Sequence, residues 1–111
     1  MQSTPTRSVA VAGEAADVTE IADNHAGSPV FKDPQGRAVD AGVPSTIPFG
    51  TPVLVHCKTG NASAMTSVHA FYLIDTPPWK GVYGVADTFT NGDPLGSSGG
   101  HLVDAAVPDC L

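Results

Sequence analysis

Cysteine and histidine are the residue types in this chain best suited to nucleophilic or metal chemistry. Cys57 directly follows His56, and a thiolate activated by a nearby histidine is a familiar catalytic nucleophile. The surrounding segment, Val53–Cys57, is apolar and β-branched, which predicts a strand with Val53, Val55 and Cys57 on one face. Adjacent residues of a strand point to opposite faces, so we expect His56 to be badly placed as a base for Cys57.

The second cysteine, Cys110, lies at the far end of the chain, and the sequence contains no other. Two widely separated cysteines are typical of a disulfide rather than of a redox or metal motif. Closing a loop of roughly 50 residues would stabilise the fold by about 4 kcal/mol in the chain-entropy model. We therefore predict a Cys57–Cys110 disulfide, and a free, reactive thiol is the alternative.

The remaining metal-ligating residues show no recognised spacing. If the strands that carry His56 and His69 pair, these two side chains could supply two ligands, but two solvent-facing histidines are the simpler interpretation. The segment from Asp87 to Asp93 lacks the alternating ligands and distal glutamate of a calcium loop. We expect neither a metal site nor a cofactor. The four histidines are His25, His56, His69 and His101.

Carboxylates and serines give no stronger indication of catalysis. Glycoside hydrolysis needs two acids about 5 to 10 Å apart. The two glutamates, Glu14 and Glu20, fall in the loosely patterned N-terminal region, and no aspartate lies inside an apolar strand segment. The run at residues 97–100 is linker-like and lacks the Gly-x-Ser-x-Gly pattern of a nucleophile elbow. The sequence predicts that this protein is not an enzyme.

The composition favours one small β domain. A chain of 111 residues fits a single domain, and its 12 glycines and 10 prolines disfavour long helices. The formal net charge is −6 and the five basic residues are scattered, which argues against nucleic acid and anionic membranes as partners. Apolar runs reach only about five residues, far short of the roughly 20 that span a bilayer.

Short apolar segments separated by turn residues predict an all-β fold. In the segment Val68–Ile74, period-two alternation places Ala70, Tyr72 and Ile74 on one side. A further strand-like segment runs from Trp79 to Phe89. Residues 1–20 lack sustained alternation, so we predict a flexible N-terminal tail there and a β domain over residues 21–111.

A family resemblance rests on the order of several elements. The turn Phe49-Gly50-Thr51-Pro52 precedes a central strand, the aromatic pair Phe71-Tyr72 follows, and Trp79-Lys80-Gly81-Val82-Tyr83 comes next. This order resembles the bacterial SH3-like domains of secreted and cell-wall proteins over residues 22–110. The C-terminal part also resembles small exported actinobacterial proteins. The resemblance implies a small SH3-like barrel of about five to seven short strands.

The resemblance implies a secreted, non-catalytic module that binds a peptide or cell-wall component. Its binding residues would be Tyr72, Trp79 and Tyr83, since amphipathic rings present large apolar faces at little entropic cost. In the alternative, the same rings are core and the protein is a structural or partner-binding exported protein. A small hydrolase or metalloprotein that uses His56, His69 and Cys57 is the third hypothesis.

The N-terminal sequence is compatible with two cellular locations. Residues 1–5 have neither the charged start nor the apolar middle segment of a signal peptide. The chain is therefore either cytosolic or the mature form of a secreted protein whose export signal has been removed. The two widely spaced cysteines favour the secreted form.

Overall fold

A computed structural model describes residues 17–60, 70–97 and 101–110 of the chain. The prediction of an all-β fold is confirmed, because the elements in these ranges are strands and one short turn of 3-10 helix. The strands are β1 (Val18–Ile21), β2 (Ser28–Phe31), β3 (Thr46–Ile47), β4 (Pro52–Gly60), β5 (Ala70–Ile74) and β6 (Tyr83–Val85), and the 3-10 turn covers Ala86–Thr88.

The strands form one antiparallel sheet in the order β1-β4-β5-β6-β2-β3. The start of the domain is tied to the segment that follows β6. Thr90 N donates to Ile21 O at 3.0 Å, and Asp23 N donates to Thr88 O at 2.8 Å. The sheet is therefore held by contacts between its sequence ends, while closure into an SH3-like barrel stays a prediction.

Two glycines permit close approaches within this sheet. Gly27 has a φ of 97°, and a Cβ there would lie 2.9 Å from Thr46 Cβ, so only glycine lets the start of β2 approach β3 this closely. A Cβ on Gly84 would lie 3.0 Å from the Phe89 ring. The missing side chain in β6 thus makes room for an aromatic ring of the core.

The main core lies on one face of the sheet. Ala70, Tyr72 and Ile74 of β5 all belong to it, which confirms the side of the strand expected from alternation. The buried members of the main core are Ala22, Val30, Ile47, Val53, Val55, Ala70, Tyr72, Ile74, Trp79, Val82, Ala86, Phe89 and Val107.

The opposite face of the sheet, here called the outer face, carries a smaller apolar cluster. Phe71 and Val85 are buried there, and Phe31 and Tyr83 pack against them. The Phe31 and Phe71 rings meet edge to face with centroids 6.1 Å apart. Because Tyr83 lies opposite Leu73 in the register, Leu73 extends this cluster toward β4.

The predicted disulfide is confirmed. Cys57 and Cys110 are bonded, with Cα atoms 5.0 Å apart. Backbone hydrogen bonds reinforce the link, because Lys58 N donates to Pro108 O and Cys110 N donates to Lys58 O, both at 2.7 Å. The C-terminal segment is thereby fixed against the end of β4.

Two sequence-based boundaries differ from the structure. β1 begins at Val18, so the predicted boundary between residues 20 and 21 cuts through the first strand; residues 1–16 lie outside the described residues. The segment predicted as a strand from Trp79 to Phe89 contains only the three strand residues Tyr83–Val85. Trp79 lies in the turn before these strand residues, where its backbone N–H donates to Thr76 O at 2.9 Å.

Candidate functional site

A pocket of about 280 Å³ opens on the outer face, where β4, β5 and the turn between β5 and β6 meet. Leu73 and Ile74 supply apolar lining, while Asp75 and Lys80 place opposite charges at the same opening. His56 adds a ring that can donate or accept a hydrogen bond. The pocket lining consists of His56, Leu73, Ile74, Asp75, Lys80 and Gly81.

A β-bulge positions His56 at this pocket. Val55 pairs with Ile74, but Cys57 pairs with Leu73, so β4 contains one residue more than β5 between these pairs. That residue is His56, whose side chain is 53% exposed. Its Nδ1 lies 3.1 Å from Oδ1 of Asp17, the residue immediately before β1.

The bulge also changes which face the rest of β4 presents. Directly opposed residues share a face, so Cys57 lies on the side of Leu73, and Lys58 lies on the core side with Tyr72. Lys58 Nζ accordingly donates to the carbonyl of Val107, a core residue. The expectation that Cys57 shares a face with Val53 and Val55 is therefore wrong, although the disulfide still removes Cys57 as a nucleophile.

Asp75 also lines the pocket. Its Oδ1 accepts a hydrogen bond from Lys80 Nζ, and its backbone N donates to Leu54 O at 2.8 Å. The Lys80 ammonium, which donates a hydrogen bond to the Asp75 carboxylate, holds the pKa of Asp75 below its ordinary value. We call Asp17, His56, Asp75 and Lys80 the surface cluster.

Three members of the surface cluster have the donor types of metal ligands. One oxygen each of Asp17 and Asp75 and one ring nitrogen of His56 all lie within 4.8 Å of one another. Imidazole and carboxylate are common ligands of divalent transition metals. The same groups can alternatively bind a polar ligand by hydrogen bonds, since they offer acceptors and one titratable donor.

A second group of ionisable residues lies inside the protein. Glu20 is only 1% exposed, and its Oε1 accepts a hydrogen bond from Asn91 N at 3.0 Å. The Tyr72 hydroxyl donates to Asn91 Oδ1 at 2.6 Å and accepts from Asp104 N at 2.7 Å. We call Glu20, Tyr72, Asn91 and Asp104 the buried network.

Glu20 and Asp104 form a carboxyl pair in this network. No N–H or O–H group among the described residues donates to Glu20 Oε2, and the carboxyl instead hydrogen-bonds to the Asp104 side chain. Burial, reinforced by this hydrogen bond and by the Asp104 charge, raises the pKa of Glu20 to about 8. The hydrogen bond from Glu20 lowers the pKa of Asp104. Burial beside the Asp104 carboxyl therefore favours the neutral, protonated form of Glu20.

The three predicted binding aromatics do not form a common surface. Tyr72 is fully buried and Trp79 is 7% exposed, both within the main core. Tyr83 is half-buried on the outer face, beside Leu73 of the pocket. The burial of Tyr72 and Trp79 is the burial expected if these rings are core residues. Of the three aromatics, Tyr83 is the one that lies beside the pocket.

Several site residues had no signal in the sequence. Asp17 lies in the predicted tail. Asp75 lies in the turn after the segment Val68–Ile74, and Lys80 lies in the aromatic segment that begins at Trp79. Glu20 was expected in a loosely ordered region, yet it pairs with Asp104 from the other end of the chain. The predicted pairing of His56 with His69 cannot be followed, because His69 lies outside the described residues.

Comparisons with family models, curated proteins and solved structures find no match to this chain. The assignment of a function therefore depends on its own residues. Among the residues described, no helix has the length and apolar character needed to cross a membrane.

Proposed function

We propose that this protein is an exported, non-catalytic SH3-like module that binds a peptide or cell-wall component in the outer-face pocket. The observation that carries the proposal is the composition of that pocket. Leu73 supplies an apolar surface, while Asp75 and Lys80 supply a carboxylate and an ammonium at the same opening. Ligand sites combine apolar lining with a few placed polar groups in this way.

A peptide-containing ligand suits this combination. An apolar side chain can cover Leu73, while a terminal or side-chain charge of the ligand pairs with Lys80 or Asp75. The half-buried ring of Tyr83 lies beside Leu73 and can extend the apolar contact. The aromatic contribution to binding then comes from Tyr83, with Tyr72 and Trp79 supporting the sheet from the core.

The disulfide supports the proposed export. Disulfides persist in oxidising compartments and are rare where cytosolic reductants keep thiols reduced. The Cys57–Cys110 bond also anchors a C-terminal segment that contains few strand contacts of its own. We infer that the chain acts outside the cytosol.

Retention on purified cell wall tests the pocket. We expect Lys80→Ala and Leu73→Ala to lower retention severalfold, because they remove a charge and an apolar contact. Lys32→Ala is the matched control, since Lys32 is also an exposed lysine near an aspartate, Asp40, at 3.9 Å. Equal retention of the Lys80 and Lys32 variants would contradict the pocket assignment.

The same assay separates peptide from glycan recognition. Cell wall from which an amidase has removed the peptides should retain much less of the parent protein. Undiminished retention would instead indicate a glycan ligand. Thermal melts of each variant show whether a loss of binding is only a loss of folded protein, which matters most for the half-buried Leu73.

The burial of Trp79 favours a second candidate, a structural or partner-binding exported protein. If Trp79 contributes only as a core residue, Trp79→Ala should lower the free energy of unfolding by about 3 to 5 kcal/mol. In that case no cell-wall fraction should retain the parent protein. The wall assay distinguishes the two candidates, while the unfolding measurement tests the core role that Trp79 has in both.

A further inference from the structure

Three potential metal ligands come together at β4 and at the ends of the two strands that pair with it. Asp17 directly precedes β1, His56 lies at the bulge of β4, and Asp75 directly follows β5. Their ligand atoms lie within 4.8 Å of one another, and two of the three residues line the open pocket. His56 lies within β4, and the two aspartates each adjoin the end of a strand that pairs with β4, so the sheet limits how far the three residues can separate.

We propose that Asp17, His56 and Asp75 bind a divalent transition-metal ion, with Zn²⁺ as the ion that fits this ligand set best. One imidazole and two carboxylates balance the charge of such an ion, and imidazole selects it over Ca²⁺ or Mg²⁺. Zinc sites with three protein ligands hold water or another ligand in the fourth position. Because His56 and Asp75 line the pocket, solvent or a ligand there could reach an ion that they bind.

The distances suit tetrahedral coordination. Ligands about 2.0 to 2.1 Å from a tetrahedral zinc lie roughly 3.4 Å from each other. His56 Nδ1 and Asp17 Oδ1 are 3.1 Å apart, close to that separation. The largest distance between two ligand atoms of the group is at most 4.8 Å, so it would have to shorten by about 1.4 Å to reach the tetrahedral separation. A rotation of the Asp75 side chain, which is 29% exposed, can supply this movement.

Lys80 is the competitor for this site. Its ammonium donates to Asp75 Oδ1, one of the oxygens available to the metal. The Lys80 side chain is 67% exposed, so it can turn into solvent when a cation arrives. Removal of this ammonium should therefore tighten metal binding, a result that a purely structural ion pair does not predict.

A second histidine–aspartate pair supplies a control within the same chain. His101 Nδ1 lies 2.9 Å from Asp93 Oδ2, and the His101 side chain is 67% exposed. Among the described residues, this pair does not belong to any group of three or more potential metal ligands. His101 thus matches His56 in type and exposure but lacks the third ligand.

Zn²⁺ titration by isothermal calorimetry tests the proposal on the intact, oxidised protein. We expect saturable binding of one ion to the parent and to His101→Ala, with affinity lowered about tenfold or more in His56→Ala and Asp75→Asn. Co²⁺ should give a visible spectrum of tetrahedral type that disappears in the same two variants. Binding to His56→Ala as tight as to the parent, or no saturable binding to the parent, would overturn the proposal.

A third variant adds an effect of opposite sign. Lys80→Gln should raise the Zn²⁺ affinity severalfold, whereas unchanged or lower affinity would contradict Lys80 as the competitor and the bound geometry argued here. Metal binding does not depend on the proposed peptide ligand, because the ion alone is the probe. Failure of the titration and failure of the cell-wall assay are therefore independent results.

Discussion

The surface cluster and the buried network each bring two carboxyl groups together, but they differ in access to water. In the surface cluster, Asp17 and Asp75 are partly exposed beside an imidazole and an ammonium. In the buried network, Glu20 is enclosed, and burial beside Asp104 raises its pKa so that the neutral form is favoured. Burial keeps a carboxyl neutral, while solvent and a nearby cation keep it charged.

The segment from Asp17 to Glu20 contributes an acid to both sites, because side chains alternate between the two faces along β1 and the residue before it. Glu20 pairs with the core residue Val53, whereas Asp17 hydrogen-bonds to His56 on the outer face. The charged site can exchange partners with solvent, so binding belongs there. The buried Glu20–Asp104 pair joins β1 to the C-terminal segment, so we expect it to contribute to stability.

The largest expected difference between the two sites is their effect on the pH dependence of stability. Because folding raises the Glu20 pKa from 4.5 to about 8, its contribution is fully present below pH 4.5 and is lost as the pH rises through 8. At about 1.4 kcal/mol per pKa unit, the free energy of unfolding should fall by roughly 4 kcal/mol between pH 5 and pH 9.

Glu20→Gln isolates this effect in urea unfolding curves at pH 5, 7 and 9. The amide stays neutral at every pH and can still donate to Asp104. The variant should therefore be about as stable as the parent at pH 5 and more stable than the parent at pH 9. Parallel pH profiles for parent and variant would show that the Glu20 pKa is not raised in the folded state.

A pair of alanine substitutions compares the two sites directly. Glu20→Ala leaves Asn91 N–H and the Asp104 carboxylate without their partner and opens a small cavity, at a cost of about 3 kcal/mol at pH 5. Asp75→Ala removes an acid from the solvent-accessible cluster, so the urea midpoint should stay close to that of the parent. Similar losses in both variants would contradict the division into a stabilising and a binding site.

The Tyr72 hydroxyl tests how strongly the buried network is connected. Tyr72→Phe keeps the ring in the core but leaves Asn91 Oδ1 and Asp104 N without their shared partner. We expect a loss of about 1 to 2 kcal/mol in the free energy of unfolding. The matched control is Tyr83→Phe on the outer face, which should change it much less. Equal effects of the two substitutions would mean that the Tyr72 hydroxyl bonds contribute no net stability.

Local pattern was sufficient to predict several features of this fold. The alternation of Ala70, Tyr72 and Ile74 identified the core face of β5, because strand side chains repeat every second residue. The identity of the disulfide followed from the presence of only two cysteines. In both cases the information lies within a few residues or in a simple count.

Features that depend on contacts between distant segments could not be predicted in this way. The bulge at His56 appears only in the register between β4 and β5, and it reverses the face of Cys57. Glu20 is buried beside Asp104, a residue more than 80 positions away in the sequence, and a local pattern does not reveal this contact. Trp79 resembles a strand residue by type, but the turn that holds it in the core depends on backbone bonds to Thr76 and Val82.

The smallest expected effect on stability belongs to Lys80. Lys80→Gln breaks the ion pair with Asp75, but the lysine is 67% exposed, and exposed pairs contribute little because solvent and salt screen them. The thermal midpoint should therefore stay within about 1 °C of the parent in 0.15 M salt. A measurement at low salt sharpens the test, since a real contribution from the pair should grow as screening weakens. A clear drop in the midpoint at both salt concentrations would place Lys80 among the groups that hold the fold together, and the contrast with the buried network would lose its basis.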